Sequence, residues 1–332
     1  MLGISIFSRH TSKQAKAVGT ISGSKQLMRN HLVVSFLVLA LLLHPLSKAE
    51  IKHIITSDSV DLYVTVKGNG TPCLYIHGGP GSGSWWLEKF SGEMLERHLQ
   101  MIYLDQRGVG RSTSPKSGNY ATDRMVKDFE EIRTALGIKK WLIMGHSFGG
   151  LLQMQYAQRH PDVIAGMVML NCTLDIANGS RGALPKAYEF LDDTSLARYM
   201  NDSIPLEISI PKIYGALREK HLFWKMAYAR KSSEATMDSS FRDIPNWNHG
   251  YENAAMGIKE NWTNYKPLTA GMTMPVLFFY GKTDWMVGPT HYEGVNFPNM
   301  ILWGSDVGHM PFLENGEDLD KAITTYIRKY GF

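Results

Sequence analysis

Residues 141–150 read Trp-Leu-Ile-Met-Gly-His-Ser-Phe-Gly-Gly, a short apolar run followed by a glycine-rich turn that carries Ser147. A helical pattern of apolar residues follows the turn and stops at Pro161. A Gly-x-Ser-x-Gly turn between a strand and a helix is typical of a nucleophile elbow, which exposes the serine Oγ on a strained backbone. The glycines leave space for the turn and for close packing of the helix against the strand. This stretch therefore predicts a nucleophilic serine at the end of a buried strand.

Short apolar runs, of the kind that is buried in parallel sheets, occur on both sides of a long interruption. A predicted strand pair and four runs precede the interruption, and two runs and a terminal helix follow it. These strands cover residues 51–56, 60–67, 73–76, 102–104, 141–144, 163–170, 276–280 and 300–303, and the helix covers residues 319–330. Because helical patterns alternate with the runs, we expect an α/β fold with a mostly parallel central sheet flanked by helices.

The interruption, residues 172–270, has no convincing strand-like run and is rich in helix formers, aromatic residues and methionine. We name it the helical insertion and predict that it forms a cap, inserted after the sixth strand. The core then consists of residues 50–171 and residues 271–332. Five aromatic residues of the insertion are expected to wall an apolar acyl pocket: Trp224, Tyr228, Trp247, Tyr251 and Trp262.

The clearest helix of the core has apolar residues at Met125, Phe129 and Ile132, one turn apart. Thr122 precedes this pattern and is predicted to be the N-cap, because a threonine hydroxyl can accept from a free backbone N–H. Gly137 follows the pattern and is predicted to end the helix.

The first 49 residues have the features of an export signal, with six basic residues, no Asp or Glu, and a 12-residue apolar run at 32–43. Ser47 and Ala49 are small residues suitable for signal-peptidase cleavage before residue 50, and Met28 could start a compact signal peptide. The run is shorter than the roughly 20 residues of a membrane span, which favours cleavage over an uncleaved anchor. We expect an exported protein, periplasmic or extracellular, that contacts a membrane only if the leader is retained.

Charge and cysteine content exclude several classes of function. Without the leader the chain has 29 basic and 31 acidic residues, so its net charge is about −2 and no nucleic-acid partner is expected. Cys73 and Cys172 lie in or beside apolar runs and are predicted to be buried free thiols. No Cys/His cluster has zinc-ligand spacing, so no metal is expected.

Two residues downstream of Ser147 can complete a catalytic triad. Asp284 follows the predicted strand at 276–280, and His309 follows the one at 300–303. An open α/β sheet builds its site at these carboxyl ends, and serine, acid, histidine is a known chain order for a triad. Asp306 is the alternative acid, but it shares a loop with His309 and would have to fold back. We predict that His309 is the base and that Asp284 orients it.

A glycine-rich loop after the strand at 73–76 is a candidate oxyanion hole. It reads His-Gly-Gly-Pro-Gly-Ser-Gly-Ser over residues 77–84, so backbone N–H groups can approach a ligand closely. Acyl transfer creates negative charge on the carbonyl oxygen, which preorganised N–H donors stabilise. We predict Gly79 and Phe148 as the two donors, with Gly78 as the alternative to Gly79. The loop lacks the lysine and the spacing of a phosphate-binding loop.

Three motifs together resemble the proline iminopeptidase branch of the α/β-hydrolases: HGGPGSGS at 77–84, DQRGVGRS at 105–112 and GHSFGG at 145–150. The resemblance spans about residues 51–171 and 271–332, and Asp284 and His309 fall where this family has its other triad members. It implies an enzyme that releases an N-terminal residue, often proline, from short peptides without metal or cofactor. His146 and Phe148 replace the Gln or Gly and the Trp found in many family members, and we expect His146 to pack rather than act as the base.

The resemblance also implies an anion that binds the substrate's α-ammonium group. Glu252 has polar and aromatic neighbours suited to a pocket wall and is the candidate that we choose. The other acidic candidates of the insertion are Glu189, Asp192, Asp193, Glu207 and Glu234. Arg107 and Arg111 are expected to support the site loops, since an arginine fork can bind carbonyls or a carboxylate, rather than to catalyse.

The sequence predicts a serine hydrolase that cleaves a small acyl substrate through an acyl-enzyme, most simply an aminopeptidase of the proline iminopeptidase type. Its expected partner is a small molecule or a short peptide. A carboxylesterase or lactonase acting on small esters is the alternative, because one fold and triad serve many substrates. A binding protein that kept the fold and lost turnover is disfavoured by the intact set of serine, histidine and aspartate.

Overall fold

The computed structural model describes residues 50–240, 243, 247–288 and 290–332, so the predicted leader lies outside the described residues. Eight strands form a sheet in the order β1-β2-β4-β3-β5-β6-β7-β8. They are β1 (Glu50–Ile55), β2 (Asp61–Lys67), β3 (Thr71–Ile76), β4 (Leu99–Leu104), β5 (Trp141–His146), β6 (Ile164–Leu170), β7 (Val276–Gly281) and β8 (Met300–Ser305). β1–β2 and β2–β4 pair antiparallel and all other neighbours pair parallel, which confirms the predicted mostly parallel sheet.

Helices cover both faces of the sheet, because alternate residues of the central strands point to opposite sides. These helices are α1 (Trp85–Glu96), α2 (Thr122–Ala135), α3 (Gly149–Arg159) and α10 (Gly316–Tyr330), with the short α9 (Pro311–Glu314) before the last. Leu74 and Ile76 pack in one core cluster with α2 and α3, whereas Cys73 and Tyr75 pack in the other with α1 and α10. The chain thus has the predicted α/β fold.

Among its described residues, the segment between β6 and β7 forms helices joined by loops, and its one β-bridge links Asn248 to Gly110. It contains α4 (Ile176–Leu191), α5 (Leu206–Glu219), α6 (Trp224–Ala227), α7 (Lys231–Ser240) and α8 (Gly250–Ala255), with 3-10 turns at Thr194–Met200, Lys259–Trp262 and Lys266–Gly271. α4 and α5 share an apolar cluster of their own. No helix among the described residues is long and apolar enough to span a bilayer.

Helix α2 begins at Thr122, one residue earlier than it would if Thr122 were its N-cap. Its N-cap is Ala121, and Thr122 is the first helical residue, so the prediction of Thr122 as N-cap is wrong. The Thr122 hydroxyl is buried and has no hydrogen-bond partner among the described residues. The predicted stop is confirmed, because Gly137 has φ +66°, the left-handed conformation that glycine adopts after a helix end.

Candidate active site

Ser147 lies between strand β5, which ends at His146, and helix α3, which begins at Gly149. Its φ is +53°, an unusual conformation for a residue with a side chain. Gly149 is required at this turn, since a Cβ there would lie 2.2 Å from the carbonyl oxygen of Ile76. The sequence therefore forms the tight strand–turn–helix connection that the glycine pattern predicts.

The structure brings Ser147, His309 and Asp284 together in a hydrogen-bonded chain. Nε2 of His309 lies 2.8 Å from Oγ of Ser147, and Nδ1 of His309 lies 2.8 Å from Oδ2 of Asp284. Because the carboxylate can only accept, Nδ1–H donates to Asp284, and Nε2 is left to accept from the serine hydroxyl. All three residues are buried.

Asp284 is held in its ionised form. Burial alone would raise the pKa of its carboxyl, but the attraction of His309 and the hydrogen bond from it outweigh burial and lower that pKa. The other carboxylate oxygen, Oδ1, accepts from the backbone N–H of Met286 at 3.0 Å. The alternative acid, Asp306, is 86% exposed and pairs with Lys282, so it has no contact with His309 that would let it orient the ring.

Every backbone polar group of the dipeptide Gly308–His309 has a hydrogen-bond partner. Oε2 of the buried Glu314 accepts from the Gly308 N–H at 2.6 Å, and Nδ2 of Asn171 donates to the Gly308 carbonyl at 2.6 Å. The His309 N–H donates to the carbonyl of Ala227 at 2.7 Å, and Nε2 of His146 donates to the His309 carbonyl at 2.8 Å. These four bonds fix the position from which the His309 ring projects.

Glu314 and Asn171 also connect the His309 loop to other parts of the chain. Glu314 accepts from the Ala229 N–H at 3.0 Å and from Ser233 Oγ at 2.8 Å, both in the helical insertion. Asn171 accepts from the N–H of Gly281 at 2.9 Å, at the end of the strand that precedes Asp284. Sequence reasoning missed both residues. The only signals in the sequence are that Asn171 directly follows β6 and that Glu314 lies five residues after His309.

His146 is buried and neutral, and it does more than pack. Burial, followed by the nearby His309, lowers the pKa of His146 to about 3. Its ring contacts the rings of His309 and Phe312, with centroids 4.8 and 5.1 Å apart. Its hydrogen bond to the His309 carbonyl links the turn that carries the serine to the loop that carries the histidine, a role that the sequence did not predict.

The glycine-rich loop at 77–84 lies beside Ser147. Gly79 has φ +114° and is followed by a cis peptide bond to Pro80. A Cβ on Gly78 would lie 2.7 Å from Cβ of Ser147, so Gly78 packs directly against the serine. Gly79 and Phe148 line the same cavity as Ser147, and the Phe148 N–H, at the N-cap of α3, has no intrahelical acceptor.

Two buried groups hold this loop from below. Oδ1 of Asp105 accepts from the N–H of Ser84 at 2.8 Å, and Arg111 Nε donates to Oδ2 of Asp105 at 2.6 Å. His77 is fully buried, which lowers its pKa to about 4, so its Nδ1–H donates to Gly78 O and its Nε2 accepts from a backbone N–H. The loop is thus held by neutral and ion-paired groups before any ligand arrives.

The prediction that Arg107 and Arg111 support the site loops is confirmed for Arg111, which binds Asp105, the acceptor for Ser84 of the glycine-rich loop. Arg107 is also structural, but the groups that it binds lie outside the glycine-rich loop and outside the loops that carry the triad. Its guanidinium is fully buried and binds Asp128 at 2.5 Å and Asp58 at 2.9 Å. It also donates to the carbonyl of Asn119 at 2.9 Å. Arg107 is not among the described residues that line the two cavities described next, so it would not contact a ligand bound in either of them.

Two neighbouring cavities open at the site, and Gly79, Pro80, Ser82 and Met256 line both. The serine cavity, which holds Ser147 and His309, has a volume of about 390 Å³. The Glu252 cavity has a volume of about 530 Å³ and is lined by the shared residues together with Gly81, Trp86, Trp247, His249 and Glu252.

Glu252 alone among the acidic candidates lines either cavity within the described residues. Its side chain packs against Gly81 of the glycine-rich loop, where a Cβ would lie 2.9 Å from that of Glu252. One carboxylate oxygen lies 2.7 Å from Nδ1 of His249, and the carboxylate is half exposed.

Two of the five aromatic residues expected to wall a pocket do so. Trp262 lines the serine cavity and Trp247 lines the Glu252 cavity, where its indole N–H donates to Gly81 O at 3.1 Å. Tyr251 is buried against Phe148, and neither Tyr228 nor Trp224 is among the described residues that line these two cavities, so the expectation is wrong for these three. Aromatic content identified the wall without showing which rings face inward.

Cys73 and Cys172 are buried free thiols, as predicted, and burial raises the pKa of both. Within the described residues no group of three or more His, Cys, Asp or Glu side chains could hold a metal ion.

Residues 71–316 match the model of the family described as the alpha/beta hydrolase fold. A putative proline iminopeptidase of Mycoplasma genitalium is 44% identical over 112 residues, 32% of this chain and 35% of the relative. A proline iminopeptidase of Neisseria meningitidis is 36% identical over 116 residues, 34% of this chain and 37% of the relative. The matches thus span about a third of the length of these curated relatives. A proline iminopeptidase-related protein of Thermus thermophilus has a similar solved structure, with a TM-score of 0.68 and 20% identity, covering 85% of this chain and 98% of that one.

Proposed function

We infer that this chain, which belongs to the alpha/beta hydrolase fold family, is a serine hydrolase that acts through an acyl-enzyme. The observation that carries this proposal is the hydrogen-bonded chain from Ser147 through His309 to the buried Asp284. His309 takes the serine proton as Oγ attacks the substrate carbonyl carbon, and Asp284 stabilises the resulting imidazolium. His309 then gives this proton to the leaving group as its bond to the acyl carbon breaks. Water repeats the sequence and releases the acid.

The oxyanion of each tetrahedral intermediate is assigned to the N–H groups of Gly79 and Phe148. Both residues line the cavity that contains Ser147, and the Phe148 N–H is free at the helix N-terminus. Donors that are fixed before the reaction stabilise developing charge without reorganisation. The buried supports of the glycine-rich loop supply that rigidity.

For the substrate, we propose an amino-terminal residue of a short peptide, as in the proline iminopeptidases to which the chain is similar. An aminopeptidase needs an anion for the α-ammonium group, and Glu252 is the acidic residue, among those described, that lines the cavity beside the glycine-rich loop. Its carboxylate is close to solvent and pairs with His249, so an incoming ammonium group can replace that partner.

The experiment combines active-site labelling with two substrate series. A fluorophosphonate probe should label the wild-type protein and not Ser147→Ala, and absence of labelling would overturn the serine hydrolase proposal. Aminoacyl p-nitroanilides should be cleaved, and Glu252→Gln should raise KM for them more than for p-nitrophenyl acetate, which has no ammonium group. Glu189→Gln is the matched control, because Glu189 is exposed and pairs with Lys186 outside both cavities.

An esterase is the second candidate, and one observation favours it. The described residues that line the serine cavity include no Asp, Glu, Lys or Arg. Cleavage of p-nitrophenyl esters without cleavage of any aminoacyl anilide would establish the esterase and exclude the aminopeptidase.

A further inference from the structure

Apolar side chains from outside the glycine-rich loop form a large part of the wall of the serine cavity. Six residues supply these side chains: Ile176, Ile210, Trp262, Met286, Val287 and Met310. They come from the helical insertion, from the loop that carries Asp284 and from the loop that carries His309. A substrate whose carbonyl carbon lies beside Ser147 Oγ would therefore contact these apolar side chains.

The size of the cavity is more than a proline requires. A proline side chain contributes only three methylene groups, whereas the volume of about 390 Å³ falls in the range of about 300–1,000 Å³ that holds drug-sized ligands. A small ring would leave much of this wall in contact with water instead of substrate. Apolar contact stabilises binding roughly in proportion to the area removed from water, so a larger side chain gains more here.

Charge restricts the side chain further. No Asp, Glu, Lys or Arg lines the serine cavity within the described residues, and its two histidines, His146 and His309, already have hydrogen-bond partners in the site. Beyond Ser147 and Ser82, the described residues that bring hydroxyl groups to its wall are Thr173, Ser180 and Tyr214. A charged side chain would lose its hydration without gaining an ionic partner, which is strongly unfavourable.

We propose that the amino-terminal residue accepted by this site has a large, uncharged, apolar side chain, such as leucine, methionine or phenylalanine, rather than proline. The proposal rests on the proposed aminopeptidase function and deepens it. The α-ammonium group then faces Glu252 and the side chain fills the serine cavity, since the two cavities share Gly79, Pro80, Ser82 and Met256. Chemically the substrate is a peptide with an apolar amino-terminal residue.

The test compares Ala-, Pro-, Leu- and Phe-p-nitroanilide on the wild type, on Ile210→Trp and on Ile208→Trp. Ile210 lines the cavity, whereas Ile208 lies on the same helix, is 50% exposed and lines neither cavity. In the wild type we expect kcat/KM to be about 10-fold or more higher for Leu and Phe than for Pro, since each added methylene contributes a sizeable factor. Ile210→Trp should reduce kcat/KM for Phe about 10-fold while Ala changes little, and Ile208→Trp should keep the wild-type order.

Failure of this proposal differs from failure of the proposed function. A wild type that prefers Pro over Leu and Phe overturns the apolar-residue proposal and leaves the aminopeptidase intact. A wild type that cleaves no anilide overturns the aminopeptidase, and a series of p-nitrophenyl acetate, butyrate and octanoate then tests the cavity by itself. A rate that falls steadily with acyl length in that series would contradict a large apolar acyl pocket.

Discussion

Oε2 of Glu314 accepts a hydrogen bond from the backbone N–H of Gly308 at 2.6 Å, so a buried carboxylate holds the residue that precedes His309. The same side chain binds Ala229 and Ser233 of the helical insertion. The proposed base is thus positioned through a group that also anchors the insertion.

Replacing Glu314 should affect turnover more than binding. In Glu314→Gln one acceptor oxygen becomes an amide NH₂, which cannot accept from a backbone N–H, so the His309 loop shifts. A displacement of about 1 Å can cost on the order of 100-fold in rate, and we expect kcat to fall about 10- to 100-fold with little change in KM. Steady-state kinetics on an ester and an anilide measure this.

Glu317→Gln is the control for that variant, because Glu317 is 82% exposed and pairs only with Lys321 on the surface of α10. A Glu314→Gln protein with a lower melting temperature and a wild-type kcat would show that Glu314 stabilises the fold without positioning His309.

Asp284→Asn should remove most of the activity without unfolding the protein. The amide cannot hold His309 in the tautomer that accepts the serine proton, and such a change lowers kcat about 10,000-fold in a comparable triad. Asp306→Asn should leave activity at the wild-type level, since its carboxylate is 86% exposed and pairs with Lys282. Loss of activity in Asp306→Asn and not in Asp284→Asn would reverse this assignment.

Gly79→Ala tests the glycine-rich loop as a donor to the oxyanion. Its φ is +114°, and the added Cβ would lie 2.5 Å from the Gly81 nitrogen, so the loop must move. Loss of one oxyanion donor lowers kcat by about 100- to 1,000-fold, and we expect a decrease in that range.

Gly118→Ala separates backbone strain from the proposed function of Gly79. Gly118 also has a positive φ, of +68°, but nothing lies within 4 Å of an added Cβ. This variant should lose a little stability and keep its kcat. Equal kcat for the two variants would argue against an oxyanion hole at Gly79.

Acid should destabilise the fold partly through Asp58. Hydrogen bonding to Arg107 lowers the pKa of Asp58 well below its value of 3.8 in an unfolded chain, and Thr56 and Arg124 add to the effect. The stability that this carboxylate contributes is therefore fully present above about pH 4 and is lost as the pH falls further.

Urea unfolding at pH 7 and pH 3 measures this contribution in Asp58→Asn. At pH 7 the free energy of unfolding should fall by about 1–2 kcal/mol, because the buried Arg107 loses one charged partner. The decrease from pH 7 to pH 3 should be smaller in the variant than in the wild type. Asp123→Asn, whose parent side chain is 82% exposed, should behave as the wild type does. Identical acid sensitivity in wild type and Asp58→Asn would contradict the assignment.

The sequence predicts the parts of this site that follow local rules. Ser147 lies in a recognisable turn, and Asp284 and His309 follow apolar runs, so their place at one edge of the sheet follows from the order of residues along the chain. Asn171 and Glu314 could not be found this way, because no motif marks either residue. Asn171 bonds backbone groups 110 and 137 residues away, and Glu314 bonds backbone groups 6 and 85 residues away. Thr122 shows a second limit of prediction from the sequence. A shift of the helix start by one residue changes which residue is the N-cap, and the sequence pattern does not fix the start that closely.

Ser147 has φ +53°, a conformation that costs a residue with a side chain on the order of 1 kcal/mol or more. Glycine adopts it freely, so Ser147→Gly should give a protein that withstands more heat and catalyses nothing. Selection for thermal resistance alone would therefore work against the nucleophile. The elbow is thus a position where the stability of the fold and catalysis make opposite demands on the side chain.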